Sequence, residues 1–336
     1  MAKVLLTGVT GFLGSHTTIQ LLEEGYEVIG TMRDLARADS IKSIIGQHTK
    51  HINALSFTQA ELQDKSAWQK AVKDVDYVLH LASPVPLKLP SDPSIIVEPA
   101  KEGTLNVLSA AAAAGVKRVV ITSSIAAISY GKTKRKSFDE ADWSDETNIA
   151  DHTAYSISKT IAEKAAWDFI HQDTSGLEMT VINPGVILGP ILEQDFSTSI
   201  AAVKILLDRS TPLIPKIGWS LVDVRSVAAL HIKAMESDKA ANERFLATNQ
   251  YYTMKEISEV LKKHFPDRKI PSRELPDTLL KLVSNFDKKL KNVIMDLGAH
   301  RTHNNEKAKK LLGWQPLSDE QAIVDAARSL INFGVV

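Results

Sequence analysis

The chain has 336 residues, of which 44% are hydrophobic and 24% are charged, so its length suits one large α/β unit or two closely joined parts. Its 40 basic and 40 acidic residues balance, which argues against nucleic acid or an acidic membrane as a partner. It contains no cysteine, which excludes disulfides, thiolate chemistry and cysteine-ligated zinc. No apolar stretch reaches the roughly 18–20 residues of a membrane span, and a strand begins too early for a signal peptide. We therefore expect a soluble, cytoplasmic protein.

A glycine-rich turn stands directly after the first predicted strand, Lys3–Thr7. The sequence TGVTGFLG then places glycines at Gly8, Gly11 and Gly14, ahead of a predicted helix. Gly8 permits the tight turn, Gly11 lets backbone approach a pyrophosphate, and Gly14 allows close packing of helix on strand. The helix N-terminus adds N–H groups and the positive end of its dipole. This arrangement predicts a dinucleotide site, with a purely structural glycine turn as the alternative.

Predicted strands and helices then alternate along the first half of the chain. Apolar strands are predicted at Tyr26–Met32, Tyr77–Ala82, Arg118–Ser124 and Glu178–Asn183, and helices at Thr104–Gly115 and Ala154–Ile170. This alternation predicts an α/β fold with a doubly wound parallel sheet. The pattern stops beyond about Gly189. We therefore expect a dinucleotide-binding domain over residues 1–189, a smaller and mainly helical substrate-binding lobe over residues 190–336, and a strand near 243–248 that returns to the first domain.

The residues after the second strand indicate which dinucleotide binds. Enzymes selective for NAD place an acid there, which receives the ribose hydroxyls of the adenosine. In this sequence the position holds Arg33, and Arg37 and Lys42 follow closely. A guanidinium suits a 2′-phosphate better than a bare ribose diol. We therefore predict NADP(H), although a shift of one residue would make Asp34 an acid of the NAD type.

Three side chains are candidates for catalysis. The sequence YSISK places Tyr155 and Lys159 four residues apart on one face of a predicted helix, where an ammonium would lower the pKa of the phenol. The lysine could also bind a ribose hydroxyl of the cofactor. Ser124 ends a predicted central strand at the carboxyl edge of the sheet, where its hydroxyl could bind a substrate carbonyl oxygen. Together with a cofactor site, these residues predict an oxidoreductase.

The motifs TGVTGFLGSH, GTMRD, HLASP, GTLNVL, VVITSS, YSISK and NPG resemble, in order and spacing, the extended short-chain dehydrogenase/reductase family. Within it the chain is most similar to the dihydroflavonol 4-reductase/cinnamoyl-CoA reductase group and its microbial aldehyde and ketone reductases. The similarity covers nearly the whole length, including the late stretch KAKKLLGWQP. It implies a Rossmann-type fold and hydride transfer from NADPH to a carbonyl carbon. Tyr155 would donate the proton, Ser124 would orient the carbonyl oxygen, and Lys159 would lower the pKa of the phenol.

The resemblance also assigns binding residues. The implied cofactor contacts are Thr7, Gly8, Thr10, Gly11, Phe12, Leu13, Gly14, Arg33, Arg37, Glu61, Leu62, Leu81, Ala82, Ser83, Thr122, Tyr155, Lys159, Pro184, Gly185 and Val186. Glu61 stands where the family has aspartate, and Asn106 corresponds to an asparagine of the family's central helix. Residues expected to line the substrate pocket are Ser83, Val85, Ser124, Ile125, Tyr155, Phe196 and the segment 214–219. Most of these are apolar, which favours an aromatic or aliphatic aldehyde or ketone over a sugar nucleotide.

Other signals receive a structural interpretation. The basic runs Lys132–Lys136 and Phe286–Asn292 are read as solvated loops, and His80 and His231 as buried structural histidines. No metal is expected, because no metal-ligand spacing is present. The partner is therefore a small carbonyl substrate, and the protein is expected to be a monomer or a homodimer. Two alternative functions are a nucleotide-sugar epimerase or dehydratase with bound NAD, which Arg33 disfavours, and a non-catalytic dinucleotide sensor.

Overall fold

The computed structural model describes residues 1–84, 92–132, 135–283, 294 and 296–336. The strands are β1 (Lys3–Thr7), β2 (Glu27–Met32), β3 (Leu55–Gln59), β4 (Tyr77–His80), β5 (Arg118–Thr122), β6 (Ser137–Phe138), β7 (Glu178–Pro184), β8 (Val186–Leu188), β9 (Gly218–Asp223), β10 (Glu243–Ala247), β11 (Tyr251–Thr253) and β12 (Thr302–His303). The helices are α1 (Phe12–Glu23), α2 (Ala38–Gly46), α3 (Lys65–Ala71), α4 (Ser94–Ala114), α5 (Ala154–Gln172), α6 (Ala201–Leu207), α7 (Val224–Glu236), α8 (Met254–His264), α9 (Asp277–Val283), α10 (Glu306–Leu312) and α11 (Asp319–Asn332).

Seven parallel strands form the main sheet in the order β10-β7-β5-β4-β1-β2-β3. The order reverses at β1 and β4, which is the switch point where ligands bind in open α/β sheets. The doubly wound fold expected from the sequence is therefore confirmed. The predicted returning strand is β10, which pairs with the far edge of β7.

Apolar layers cover both faces of the main sheet, as a parallel sheet requires. On one face α1, α7 and α10 bury side chains such as Leu21, Val227 and Leu312. On the other face α3, α4 and α5 bury Trp68, Val107 and their neighbours. Helices on both faces leave the carboxyl edge of the strands as the open side of the sheet.

A second sheet, of three strands in the order β11-β9-β8, has no counterpart among the strands predicted from the sequence. These strands have only three to six residues, and a third apolar cluster packs them against α6, α8 and α11. The strand predicted to end at Ser124 ends at Thr122, so Ser124 lies just beyond the carboxyl edge. No helix within the described residues is both long and apolar enough to cross a bilayer.

Candidate active site

The glycine turn between β1 and α1 has the close packing that the sequence predicts. Gly8 has a φ of +74°, and a Cβ at Gly14 would lie 2.1 Å from the Gly8 carbonyl oxygen. Helix α1 begins after Gly11, which provides no side-chain cap for the helix N-terminus. Uncapped N–H groups at a helix start form an anion site. The cradle therefore fits the pyrophosphate of a dinucleotide.

The Thr7 hydroxyl and the Gly8 backbone pack against the end of β4 below this cradle. Thr7 Oγ1 accepts a hydrogen bond from the Ala82 amide at 2.9 Å and lies 3.0 Å from His80 Nδ1. Gly8 packs so close to Ala82 that an added Cβ would be 3.2 Å from the Ala82 backbone. The ends of β1 and β4, which the sequence analysis assigned to the cofactor, are thus brought together.

Arg33 is the first residue beyond β2, and it is exposed. The Asp34 carboxylate instead accepts a hydrogen bond from the Ala36 amide at 2.9 Å and caps a short 3₁₀ helix, Leu35–Arg37. The capping role explains why Asp34 need not act as a ribose-binding acid. Arg37, predicted to bind the cofactor, is paired with carboxylates from the segment after β8.

Further predicted cofactor residues lie at the ends of β3 and β7. The Leu62 carbonyl accepts a hydrogen bond from Asn106 Nδ2 at 3.0 Å, which fixes the loop after β3 against α4. Gly185 joins β7 to β8, and a Cβ there would lie 2.2 Å from the Ser220 carbonyl oxygen. Pro184 and Val186 therefore follow a path that only glycine permits between them.

Ser124 and Tyr155 meet at the carboxyl edge of the sheet. Tyr155 lies in the first turn of α5, where the Thr153 side chain accepts a hydrogen bond from the Ser156 amide. The Ser124 side chain lies near the Tyr155 phenol and lowers its pKa, whereas burial raises that pKa by more. The net pKa of Tyr155 is raised, so the phenol keeps its proton at neutral pH.

Here the structure differs from the expectation that Lys159 lowers the pKa of Tyr155. The Lys159 ammonium donates to the Thr122 carbonyl oxygen at 3.0 Å. Lys159 is only 7% exposed, and burial lowers its own pKa to about 8. Burial is therefore the main cause of both shifts, because it removes the water that would solvate each group in its charged form.

A buried polar network below Lys159 was not found from the sequence. Glu163, which is 2% exposed, lies one helical turn beyond Lys159 on α5. Its carboxylate accepts hydrogen bonds from Ser123, from Asn183 Nδ2 at 2.8 Å and from Arg244 Nε at 2.7 Å. Glu163 also raises the pKa of Lys159, against the effect of burial. The repeat of polar residues at positions 155, 159 and 163 was the available sequence signal.

A small cavity of about 20 Å³ adjoins this network, which is room for about one water molecule. It touches His80, Ser83, Lys159 and Glu163. Burial lowers the pKa of His80 to about 3, so the imidazole stays neutral beside the lysine. The ring nitrogens of His231 contact Thr122 Oγ1 and the Val227 carbonyl oxygen, which agrees with a structural role.

The predicted substrate-pocket residues are only partly brought together. Ser124 and Tyr155 meet, whereas Ile125 is buried in an apolar cluster with Phe138 and Leu246. Phe196 is partly buried with Val186 and Trp219 around the third cluster. Val85 and the basic run 286–292 lie outside the described residues, as do Thr133 and Lys134 of the other basic run.

Substitution of Lys159 by methionine tests its shifted pKa. Because the pKa is about 8 in the folded chain and 10.5 ordinarily, the unfolded chain binds more protons between these values. The cost of burying the ammonium is therefore present below pH 8 and is lost as the pH rises to 10.5. We expect the stability of wild type relative to Lys159→Met to rise by a few kcal/mol, at about 1.4 kcal/mol per pKa unit. Denaturant unfolding between pH 7 and 10.5 measures this, and parallel curves would contradict it.

Comparisons with known proteins agree with this geometry. The family model described as the NAD dependent epimerase/dehydratase family matches residues 4–247. A putative oxidoreductase of Schizosaccharomyces pombe is 32% identical over 97% of this chain and 96% of its own. Cinnamoyl-CoA reductase 1 of Arabidopsis thaliana is 35% identical over 80% of this chain and 77% of its own. The crystal structure of yeast methylglyoxal/isovaleraldehyde reductase Gre2 complexed with NADPH has a TM-score of 0.80 and 27% identity, covering 99% of each chain. Since the family model spans more than half of the chain, the protein belongs to the NAD dependent epimerase/dehydratase family, which confirms the resemblance of its motifs to the extended short-chain dehydrogenases/reductases.

Proposed function

We propose that this protein is an NADPH-dependent carbonyl reductase, which converts an aldehyde or ketone to the alcohol. The observation that carries the proposal is the placement of Ser124 next to a protonated Tyr155, at the same edge of the sheet as a glycine cradle for a dinucleotide. The relatives support it, because one solved structure is a reductase complexed with NADPH and a curated relative is a cinnamoyl-CoA reductase.

The cofactor is NADP(H), held by groups at the carboxyl edge of the sheet. The N-terminus of α1 would bind the pyrophosphate, and the exposed guanidinium of Arg33 would bind the 2′-phosphate. The strand ends around Pro184 and Val186 would line the nicotinamide. When bound, the reduced cofactor supplies the hydride that reduces the carbonyl carbon.

The side chains of the chain supply the proton and the orientation. Ser124 donates a hydrogen bond that holds the carbonyl oxygen of the substrate next to Tyr155. The Tyr155 phenol then donates its proton to this oxygen as negative charge develops on it. Lys159 stays close to the carboxyl end of β5 through the Thr122 carbonyl, where its ammonium could bind a ribose hydroxyl of the cofactor.

The surroundings favour a small, neutral carbonyl substrate. Val186, Phe196 and Trp219 are partly exposed around an apolar cluster. Arg301 is a cation near Tyr155. Its guanidinium lies 4.5 Å from the ring centre of Tyr130. The Tyr155 phenol is close enough to Tyr130 to raise the pKa of Tyr130. Two carboxylates already neutralise this guanidinium, at 2.5 and 2.8 Å. Arg301 is therefore poorly placed to attract an anionic substrate.

We also propose a cytoplasmic location and a monomeric or homodimeric state, without nucleic-acid or membrane partners. Support comes from the composition alone. The absence of cysteine fits a reducing compartment, and the balanced charge of 40 basic and 40 acidic residues provides no field for a polyanion.

Consumption of NADPH and of NADH over a panel of carbonyl compounds tests the function. The panel contains aryl aldehydes, short aliphatic aldehydes, α-diketones, α-keto esters and dihydroflavonols. We expect NADPH oxidation with at least one neutral aldehyde or ketone, and slower oxidation of NADH. Retention of NAD through gel filtration with no consumption of added NADPH would instead indicate an epimerase. Tight NADPH binding with no turnover of any compound would indicate a sensor.

A further inference from the structure

The guanidinium of Arg37 is paired with two carboxylates from a distant part of the chain. Nη2 lies 3.3 Å from Glu193 Oε2, and Nη1 lies 3.7 Å from Asp195 Oδ2. Arg37 stands at the end of the turn after β2, close in sequence to Arg33. Carboxylate oxygens and phosphate oxygens bind a guanidinium in the same way. The two acids thus occupy a cation that would otherwise be available to a 2′-phosphate.

The segment that carries the two acids is anchored to the rest of the molecule. It follows β8, and the Pro190 carbonyl oxygen lies 2.9 Å from His16 Nε2 on α1. The Ile191 amide donates to Ser329 Oγ at 2.9 Å, which ties the segment to α11. The segment therefore crosses α1 near the glycine turn before it reaches Arg37. This path places Glu193 beside the adenosine end of the cofactor site.

The charges at this corner oppose a second anion. Glu193 is 22% exposed, and burial raises its pKa, whereas Arg37 lowers it. Asp195 is 75% exposed and adds a second negative charge. A 2′-phosphate that approaches Arg37 must displace these carboxylates or share the guanidinium with them. In both cases it is repelled, whereas the uncharged ribose of NADH is not.

We propose that Glu193 and Asp195 reduce the preference of this enzyme for NADPH over NADH, by competing with the 2′-phosphate of NADPH for the Arg37 guanidinium. The inference rests on the proposed function in taking NADP(H) as the cofactor. Arg33 provides the 2′-phosphate site with an exposed cation. The guanidinium of Arg37 is paired with carboxylates, so it adds less to the affinity for the phosphate than an unpaired guanidinium would. The acids therefore weaken NADPH binding and leave NADH binding unchanged, which narrows the preference for NADPH.

Isosteric substitutions test this competition. Glu193→Gln, Asp195→Asn and the double variant are compared with wild type in binding NADPH and NADH by nicotinamide fluorescence. Competition experiments measure the affinities for 2′,5′-ADP and 5′-AMP, which bind only at the adenosine end of the site. We expect the double variant to bind NADPH and 2′,5′-ADP roughly two- to fivefold more tightly, the range of surface ion pairs. Its affinity for NADH and 5′-AMP should not change.

Two further variants locate the effect. Asp208→Asn removes a carboxylate from an ion pair with Lys204 on α6, and should change neither affinity. In an Arg37→Ser background the gain from Glu193→Gln should disappear, because the guanidinium is then absent. Unchanged or weaker binding of NADPH and 2′,5′-ADP in the double variant would overturn the inference, as would equal tightening of NADH. Wild-type protein that binds no NADPH would overturn the proposed function itself, and the inference with it.

Discussion

Replacement of Tyr155 by phenylalanine is expected to lower kcat by about 10²–10⁴-fold, the usual contribution of a positioned general acid. The hydroxyl is the only group removed, and the aromatic ring at the start of α5 remains. The Ser124 hydroxyl can still orient the carbonyl oxygen but cannot act as the proton donor that a phenol is. Steady-state kinetics with the best substrate of the carbonyl panel measures the loss.

The same variant should bind NADPH with nearly unchanged affinity, because the cradle and the cations after β2 are untouched. Tyr26→Phe is the matched control, since the Tyr26 phenol donates to Glu236 near the opposite, amino end of β2 and should not affect kcat. A Tyr155→Phe enzyme with wild-type kcat would show that another group protonates the substrate. Equal loss of NADPH binding would show that the effect is structural.

Gly14→Ala is expected to weaken NADPH binding at least about tenfold, because hydrogen bonds to a charged phosphate are each worth about 1.5–3 kcal/mol. The new Cβ would lie 2.1 Å from the Gly8 carbonyl oxygen and 3.1 Å from Val9 Cα. These are backbone atoms, so the turn or α1 must move, and the N–H groups that face the pyrophosphate move with it. Overpacking of this kind also lowers the free energy of unfolding by about 1–3 kcal/mol.

Gly46→Ala provides the control for a glycine in a helix. Gly46 ends α2, and a Cβ there would make an ordinary contact of 3.5 Å with Ile52. We expect Gly46→Ala to retain NADPH affinity. Its free energy of unfolding should stay the same or rise by about 0.4–1 kcal/mol. Fluorescence titration and thermal unfolding measure both variants. If Gly14→Ala behaved like Gly46→Ala, the close packing of α1 on the turn would not be what forms the site.

Motifs with local chemistry were predictable in detail. The glycine turn, the cation at Arg33 and the pair Tyr155 and Lys159 follow from short spacings in one strand–turn–helix unit or one helix. The alternation of apolar strands and helices likewise predicted the doubly wound parallel sheet. Short strands such as β8 and β11 were missed, because three residues carry no readable periodicity.

Contacts between distant segments could not be predicted. Glu163 is recognisable as a positioned carboxylate only when Asn183 from β7 and Arg244 from β10 converge on it. The pairing of Arg37 with Glu193 joins positions 156 residues apart. The packing of Ile125 with Phe138 and Leu246 likewise joins segments that are distant in the chain.

The pKa values of the catalytic groups separate what sequence and tertiary structure each decide. The sequence alone determined that a phenol and an ammonium share one face of α5, since helical geometry sets that spacing. Only the tertiary structure decided the direction of their pKa shifts, because desolvation depends on what covers a group rather than on its neighbours in the chain. Burial raises the pKa of Tyr155 and lowers that of Lys159 to about 8, so both shifts favour the uncharged form of the group.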